Sequence, residues 1–559
     1  MIHVGPIAGI SAHGRYIATA GYDNKVILWD SNTHKPLARG MHDHLVNNCA
    51  FSPDGKWLVS ASSDYSARLW ALPALRLTSV LSDHGDDVDM AVFSPDSQYI
   101  ATCALDRQVR VFNLQGECLV SFKGHTGNVL ALAWTSDGRH LVSTSVDGTI
   151  RQWDLTSRSE FHRTDLNVRT DSLEISAQGV IYAGDDLGRI VIIQGEQTHY
   201  VQAHRAGIKK VVWDEAQTML VCLSYDRTMS MWSMAESGDP QEKARTELPE
   251  PIWARAAVIL PNGKVATGTF GSTYAVFDIA SNSWNMNDVV AGHGLNDVLK
   301  VNSELYTVGD AGTVFQNGRP IAEMGSLCNF LVATKTNVLT GGQMGTLFDA
   351  RSGKILYKHH SPLNCGLVYV DEDEEFIVIG AYTGELLVFH QEAGGYALLH
   401  EIKVYENAVK GLSYANGVLF SVCASTDIAW HRVADWSLLK ELDHAHDKIA
   451  NDCCAIDDEH FATVSRDRTL RIWSDRKTEI YPSPHPNSVK CISISQDRSN
   501  VLTGCYGGTL AMFNVPKRRW SKVSRPTVSG ISSITWDESN QCFLASSYDG
   551  HIYPMEVVA

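Results

Sequence analysis

The chain has 559 residues, with 47 Lys and Arg against 63 Asp and Glu for a formal charge of −16, and it is 44% hydrophobic and 20% charged. This is the balance of a folded globular protein and not of a disordered one, and the acidic excess argues against general affinity for a nucleic-acid backbone. The opening MIHVGPIAGISAHGRY has no basic segment leading into an apolar run, and no apolar stretch nears ~18 residues, so no membrane span is expected and the cytosol or nucleus is the expected location. Twelve Cys lie scattered without a CxxC spacing, which reads as reduced, buried thiols.

In chain order, short β-branched or aromatic runs alternate with turn clusters such as SPDGK, TSDGR and LPNGK, and no long amphipathic helix interrupts them. The segment VSTSVDGTIRQWD, a strand, a tight polar turn and a second strand, recurs throughout. With Asp147 as the turn marker, equivalents fall at Asp23, Asp64, Asp106, Leu187, Asp226, Gly271, Ala311, Met344, Thr383, Ser425, Asp467, Gly507 and Asp549, 33 to 45 residues apart. Fourteen units of about forty residues predict fourteen four-stranded antiparallel sheets.

His125 precedes Ser145, Asp147 and Trp153 by 20, 22 and 28 residues, and the same offsets join His42 to Ser62, Asp64 and Trp70, and His204 to Ser224, Asp226 and Trp232. With GH near the start of a unit, Asp in the turn and WD closing the next strand, the sequence resembles the WD40 family. The resemblance implies an all-β fold of two seven-bladed WD40 β-propellers, and a structural tetrad in which His meets the turn Asp and Ser meets the indole. Repetition, with a Trp ending each set, argues against a Ser-His-Asp nucleophile. Other units lose parts of the set: Ala104 and Phe112 stand in the unit of His84 and Asp106, and Cys505, Gly507 and Phe513 in that of His485.

Two polar stretches, 235–251 and 514–527, read as linkers flanking seven units. They place one propeller, 246–525, as an insertion in another made of 1–245 plus 526–559, with Met1 to Val4 completing the last sheet; a sequential division near residue 286 is the alternative. In the family resembled, the residue before the turn Asp projects onto the top face where partners dock. Here the aromatic and cationic residues at that position are Tyr22, Tyr225, Phe270, Tyr382, Arg466, Tyr506 and Tyr548, of types enriched at interface centres. Tyr225, Tyr548 and Tyr22 form one arc under the insertion.

No phosphate loop, metalloprotease helix or nucleophile elbow is found, so no catalytic residue, metal or cofactor is expected. HDH at 42–44 and HAH at 444–446 are read as clasp residues before metal ligands. The expected function is a non-catalytic scaffold or sensor for protein or peptide partners within a multiprotein complex. The two-ring layout is similar, in architecture alone, to WD40 cofactors of actin disassembly. An enzyme with a site in a channel or inter-propeller cleft is a competing expectation, as is an RNA-processing subunit using Lys517, Arg518 and Arg519.

Overall fold

A computed structural model describes residues 2–234, 240–286, 288–371, 374–392, 395–474 and 477–557. Its described residues form fourteen consecutive antiparallel meanders, thirteen of four strands and the last, 531–556, of three. All fourteen turn markers lie between the second and third strands of their sheets, and the short step from Ala311 to Met344 lacks no strand. In twelve of these turns the residue after the marker has φ between 61° and 93°. Seven of those twelve are Gly, which enters the left-handed region without strain.

Burial explains why these segments become sheets. In the fourth, His140–Ser145 and Thr149–Asp154 are buried along most of their length, whereas the outer Ser159–Asp165 alternates exposed and half-buried residues. Apolar side chains of the middle strands meet the next sheet: Val142 and Ile150 pack with Leu173, Ile181 and Val191. Each such side chain contributes about 1.5 to 3 kcal/mol on burial.

The first strand of each sheet packs on that of the next, and the series closes twice: Ile7–His13 meets Ile252–Ile259, and Leu295–Val301 meets Ile531–Asp537. The chain therefore forms two units of seven sheets, Met1–Gly292 and His293–Ala559. Ile17, Ile27 and Trp29 seal the first closure against Ala266, Tyr274 and Val276.

The insertion of 246–525 into 1–245 plus 526–559 is thus corrected to two units in chain order. Both expected linkers contain fourth strands, Gln241–Glu247 and Arg519–Ser524, whose polar composition reflects their exposed position; residues 235–239 of the first lie outside the described residues. The N-terminus does not complete the last sheet: the His3 amide donates to the Ser272 carbonyl at 2.9 Å within the first unit.

In thirteen of the fourteen sheets the inner strand carries a bulge of one extra residue near its start, such as Asp89 between Val88 and Met90 or Lys209 between Ile208 and Lys210. The following side chain often accepts a backbone N–H of the next sheet. Ser172 takes that of Val211 at 3.1 Å, Asp297 that of Leu331 at 2.5 Å and Asp452 that of Ile492 at 3.0 Å. These bonds satisfy amides that the bulge takes out of the ladder.

Candidate functional site

The clasps come first because they decide what the repeated His, Ser and Asp can do. In the fourth sheet the Trp153 indole donates to Ser143 Oγ at 2.8 Å, Ser143 meets His125 Nε2 at 2.8 Å, and His125 Nδ1 meets Asp147 at 3.0 Å. Trp70, Ser60, His42 and Asp64 repeat this at 2.7 to 2.8 Å. The expected Ser145 and Ser62 are corrected to Ser143 and Ser60, two residues earlier on the same strand face. Leu141 and Leu58 pair with the two indoles across the strands, so the hydroxyl within reach is the diagonal neighbour. Ser145 and Ser62 instead accept the amides of Asp147 and Asp64 at 3.1 Å.

In the sixth sheet the expected Ser224 is likewise corrected. Cys222 holds the position equivalent to Ser143, and Ser230 of the third strand supplies the hydroxyl, 2.7 Å from His204 Nε2 and 2.8 Å from Trp232 Nε1. Two further complete sets escaped the fixed offsets: His3, Asp23, Thr19 and Trp29, and His446, Asp467, Thr463 and Trp473. Their His-to-Asp spacings are 20 and 21 residues instead of 22. A constant step of four residues from the imidazole to its inner strand would have found both.

Each link uses one proton. Indole N–H donates to hydroxyl oxygen, hydroxyl O–H to Nε2, and Nδ1–H to carboxylate, which fixes a neutral imidazole. Burial lowers His42 and His446 in agreement with that state. Burial would raise the carboxyls, but the imidazole bonds outweigh it: Asp23 and Asp226 are held down at about 2, and Asp64, Asp147 and Asp467 are also well below the usual range. Ser60, Ser143 and Ser230 are fully buried and bonded at both ends, the geometry of a clasp and not of a nucleophile with an open approach.

Two sheets keep the bond from imidazole to hydroxyl without the carboxylate. Asp106 turns to Arg110 at 2.7 Å, leaving His84 on Thr102, and Gly507 leaves His485 on Thr503 alone. A Cβ at Gly507 would collide with the Asn487 amide. Burial pushes both imidazoles down to about 4. A folded pKa below the unfolded ~6.5 gives stability that is complete above pH ~6.5 and is lost as pH falls toward 4. For His84 this is on the order of 3 kcal/mol. Urea unfolding at pH 6.5, 5.5 and 4.5 is therefore expected to show a wild-type loss that is smaller in His84→Gln, where only His485 still contributes; parallel profiles would contradict the assignment.

The expected docking residues divide between the units. Tyr22, Tyr225 and Phe270 belong to the first and Tyr382, Arg466, Tyr506 and Tyr548 to the second, so Tyr548 leaves the expected arc and Phe270 takes its place. All seven are half-buried. In the first unit Tyr22 meets Trp253 edge-on at 5.2 Å, and Trp253 meets Phe270 at 5.4 Å. Arg255 lies 5.6 Å from the Trp253 ring and Lys209 lies 5.1 Å from that of Tyr225. Tyr225, Phe270 and Tyr22 come from the turns of sheets six, seven and one, adjacent around the closed unit. Trp253 and Arg255 were missed because they sit in an inner-strand bulge and not at a turn tip.

Below the arc the channel is lined by bulge residues including Asn47, Asp89, Asp171, Lys209 and Arg255. Lys209 bonds Asp171 at 2.6 Å and also Asp186, and Arg169 meets Asp171 at 2.7 Å. The space enclosed is about 70 Å³, against the ~300 to 1,000 Å³ typical of pockets that enclose a small ligand. Among the described residues no group of three His, Cys, Asp or Glu is placed to hold a metal. Cys453 and Cys454 are buried, and burial pushes both thiols up, away from the reactive thiolate.

The family model described as "WD domain, G-beta repeat" matches residues 3–30, 35–71, 75–113, 116–154, 195–233, 436–474 and 478–514. These segments end in the seven sheets where His3, His42, His84, His125, His204, His446 or His485 bonds a Ser or Thr hydroxyl. A nuclear distribution protein PAC1 of Arthroderma benhamiae is 29% identical over 27% of this chain and 38% of its own length. The target of rapamycin complex subunit wat1 of Schizosaccharomyces pombe is 29% identical over 32% and 45%. Periodic tryptophan protein 2 of Arabidopsis thaliana is 27% identical over 40% and 21%. The chain thus spans less than half the length of each.

Proposed function

This chain belongs to the WD40-repeat family, and from that premise we propose that it is a non-catalytic scaffold or sensor of the cytosol or nucleus that binds a protein or peptide partner on a top face. The observation that carries the reading is the aromatic arc of Tyr225, Phe270 and Tyr22, backed by Trp253. Half-buried rings at turn tips offer large contact area at small entropic cost, because the surrounding packing already holds them. The clasps supply rigidity, and the sequences between them are free to vary in surface. The relative named as a target of rapamycin complex subunit supports a place in a multiprotein assembly.

The test is the triple variant Tyr22→Ala, Tyr225→Ala and Phe270→Ala in the full chain, compared with wild type by affinity purification from the native host and mass spectrometry. At ~2 kcal/mol for a central aromatic anchor, at least one co-purifying protein is expected to fall ~30-fold or more, with the far-ultraviolet spectrum unchanged. An unaltered set of partners from a folded variant would sink the assignment. Trp253 is left intact because it is 8% exposed, and its truncation would unfold the arc along with the surface.

A further inference from the structure

The inner strand of sheet seven departs from the one-residue bulge of the others. It pairs Ile252 with Thr269 and then Ala257 with Thr267, so residues 253–256 stand opposite Gly268 alone. A Cβ at Gly268 would lie 2.8 Å from that of Ala256, so glycine is what lets the enlarged bulge pack back on its own sheet. A bulge re-aims the side chains it carries. This one sets Trp253 in the aromatic arc and Arg255 among the residues that line the channel beneath it.

Arg255 is half-buried. Among the described residues it makes no ion pair and no hydrogen bond, and its guanidinium lies 5.6 Å from the Trp253 ring. The neighbouring cations are held: Lys209 by Asp171 at 2.6 Å and by Asp186, Arg169 by Asp171 at 2.7 Å, and Lys210 by Glu174 at 3.9 Å. Asp171 therefore already serves two cations. Asp89, the other carboxylate lining the channel, stays beyond ion-pair distance of Arg255. Burial opposes the charge on Arg255, but Tyr225, Tyr22, Asp171 and Asp89, in falling order, raise its pKa, and it is charged at every working pH. The adjoining space of about 70 Å³ has room for several waters, which the head of one side chain can displace.

We propose that a peptide segment docked on the aromatic arc inserts one acidic side chain, Asp or Glu, into the channel mouth, where its carboxylate pairs with Arg255. A guanidinium presents a planar fork of donors that matches a carboxylate, and charge-assisted bonds of this kind are the strong ones. Tyr22, Phe270 and Trp253 then pack the apolar residues beside the acid, and exclude the water that would screen the pair. A lysine or arginine inserted at the same place would meet a like charge. The inference rests on the arc being the docking surface, and adds to it the chemistry of what docks.

The test selects random peptides displayed on phage against the full chain, its Tyr22→Ala, Tyr225→Ala, Phe270→Ala triple variant and Arg255→Met, each checked for folding by its far-ultraviolet spectrum. Peptides enriched by wild type and not by the triple variant are expected to share an Asp or Glu beside an apolar residue. Changing that acid to its amide is expected to weaken binding to wild type ~10-fold or more, the loss of one charge-assisted bond, and binding to Arg255→Met less than ~2-fold. Should Arg255→Met not fold, Arg255→Lys carries the comparison: it keeps the charge and loses the fork, so it is expected to bind the acidic peptide more weakly than wild type and the amide form equally. Enriched peptides without a shared acid, a shared Lys or Arg in its place, or equal acid-to-amide losses in wild type and the Arg255 variant would overturn the proposal and leave the docking surface standing. Enrichment of the same peptides by the triple variant, or of none by wild type, would remove the docking surface and this inference with it.

Discussion

Asp147→Ala is expected to cost the first unit about 3 to 5 kcal/mol, the range for removing one partner from a buried, hydrogen-bonded charged set. The carboxylate accepts from His125 Nδ1 at 3.0 Å, the Thr126 amide at 2.9 Å, the Thr149 amide at 3.0 Å and the Thr149 hydroxyl at 2.7 Å. An alanine leaves these donors without their acceptor in a region that admits little water. The loop carrying His125 comes off the outer strand of sheet three, so the lost bonds are those that hold one sheet's exit against the next. Urea unfolding of the two proteins measures the difference, and Trp153→Phe, which deletes one donor, sets the lower scale at about 1 kcal/mol. A loss below that scale for Asp147→Ala would mean that apolar packing between the sheets, and not the clasp, sets local stability.

A comparable loss, about 3 kcal/mol or more, is expected for Arg227→Met, at a position the repeat pattern does not mark. The Arg227 guanidinium is buried, with no carboxylate at ion-pair distance among the described residues. It donates to the carbonyls of Pro249 at 2.6 Å, Ile252 at 2.7 Å, Leu248 at 2.9 Å and Glu250 at 3.4 Å. Burial lowers its pKa to about 10, which still leaves it charged at neutral pH. One planar fork thereby fixes the connection from sheet six into sheet seven, the last sheet before the ring closes on Ile7–His13. Methionine fills much of the volume but strands several buried acceptors, each worth about 1 to 3 kcal/mol when left unsatisfied. Arg227→Lys keeps the charge and loses the fork, so it is expected to fall between the two. Unfolding of Arg227→Met at the wild-type urea midpoint would show that the carbonyls find water instead.

The two losses differ in how far they were legible. The Asp147 clasp stands in the order of residues, because turn, strand and indole lie within one unit and repeat with it. The Arg227 clamp has no such signature: its acceptors are backbone carbonyls of any sequence, and a left-handed arginine with φ of 65° looks like an ordinary turn residue.

The same distinction runs through the whole molecule. Strand alternation, turn chemistry and a forty-residue step are local properties, so the all-β class, fourteen sheets and every marker turn could be read from the chain before any contact was known. Which of two serines meets an indole could not, since Ser143 and Ser145 share a strand face and cross-strand register selects between them. Ring closure was hidden for a related reason: inner strands present similar edges to either neighbour, and solvent-facing fourth strands have the composition of linkers. The state of a channel lysine is the most distant of all. Lys209 and Lys410 occupy equivalent bulges in similar strands, and only the side chains that folding gathers around each tie one to two carboxylates and leave the other pushed down to about 7, chiefly by burial.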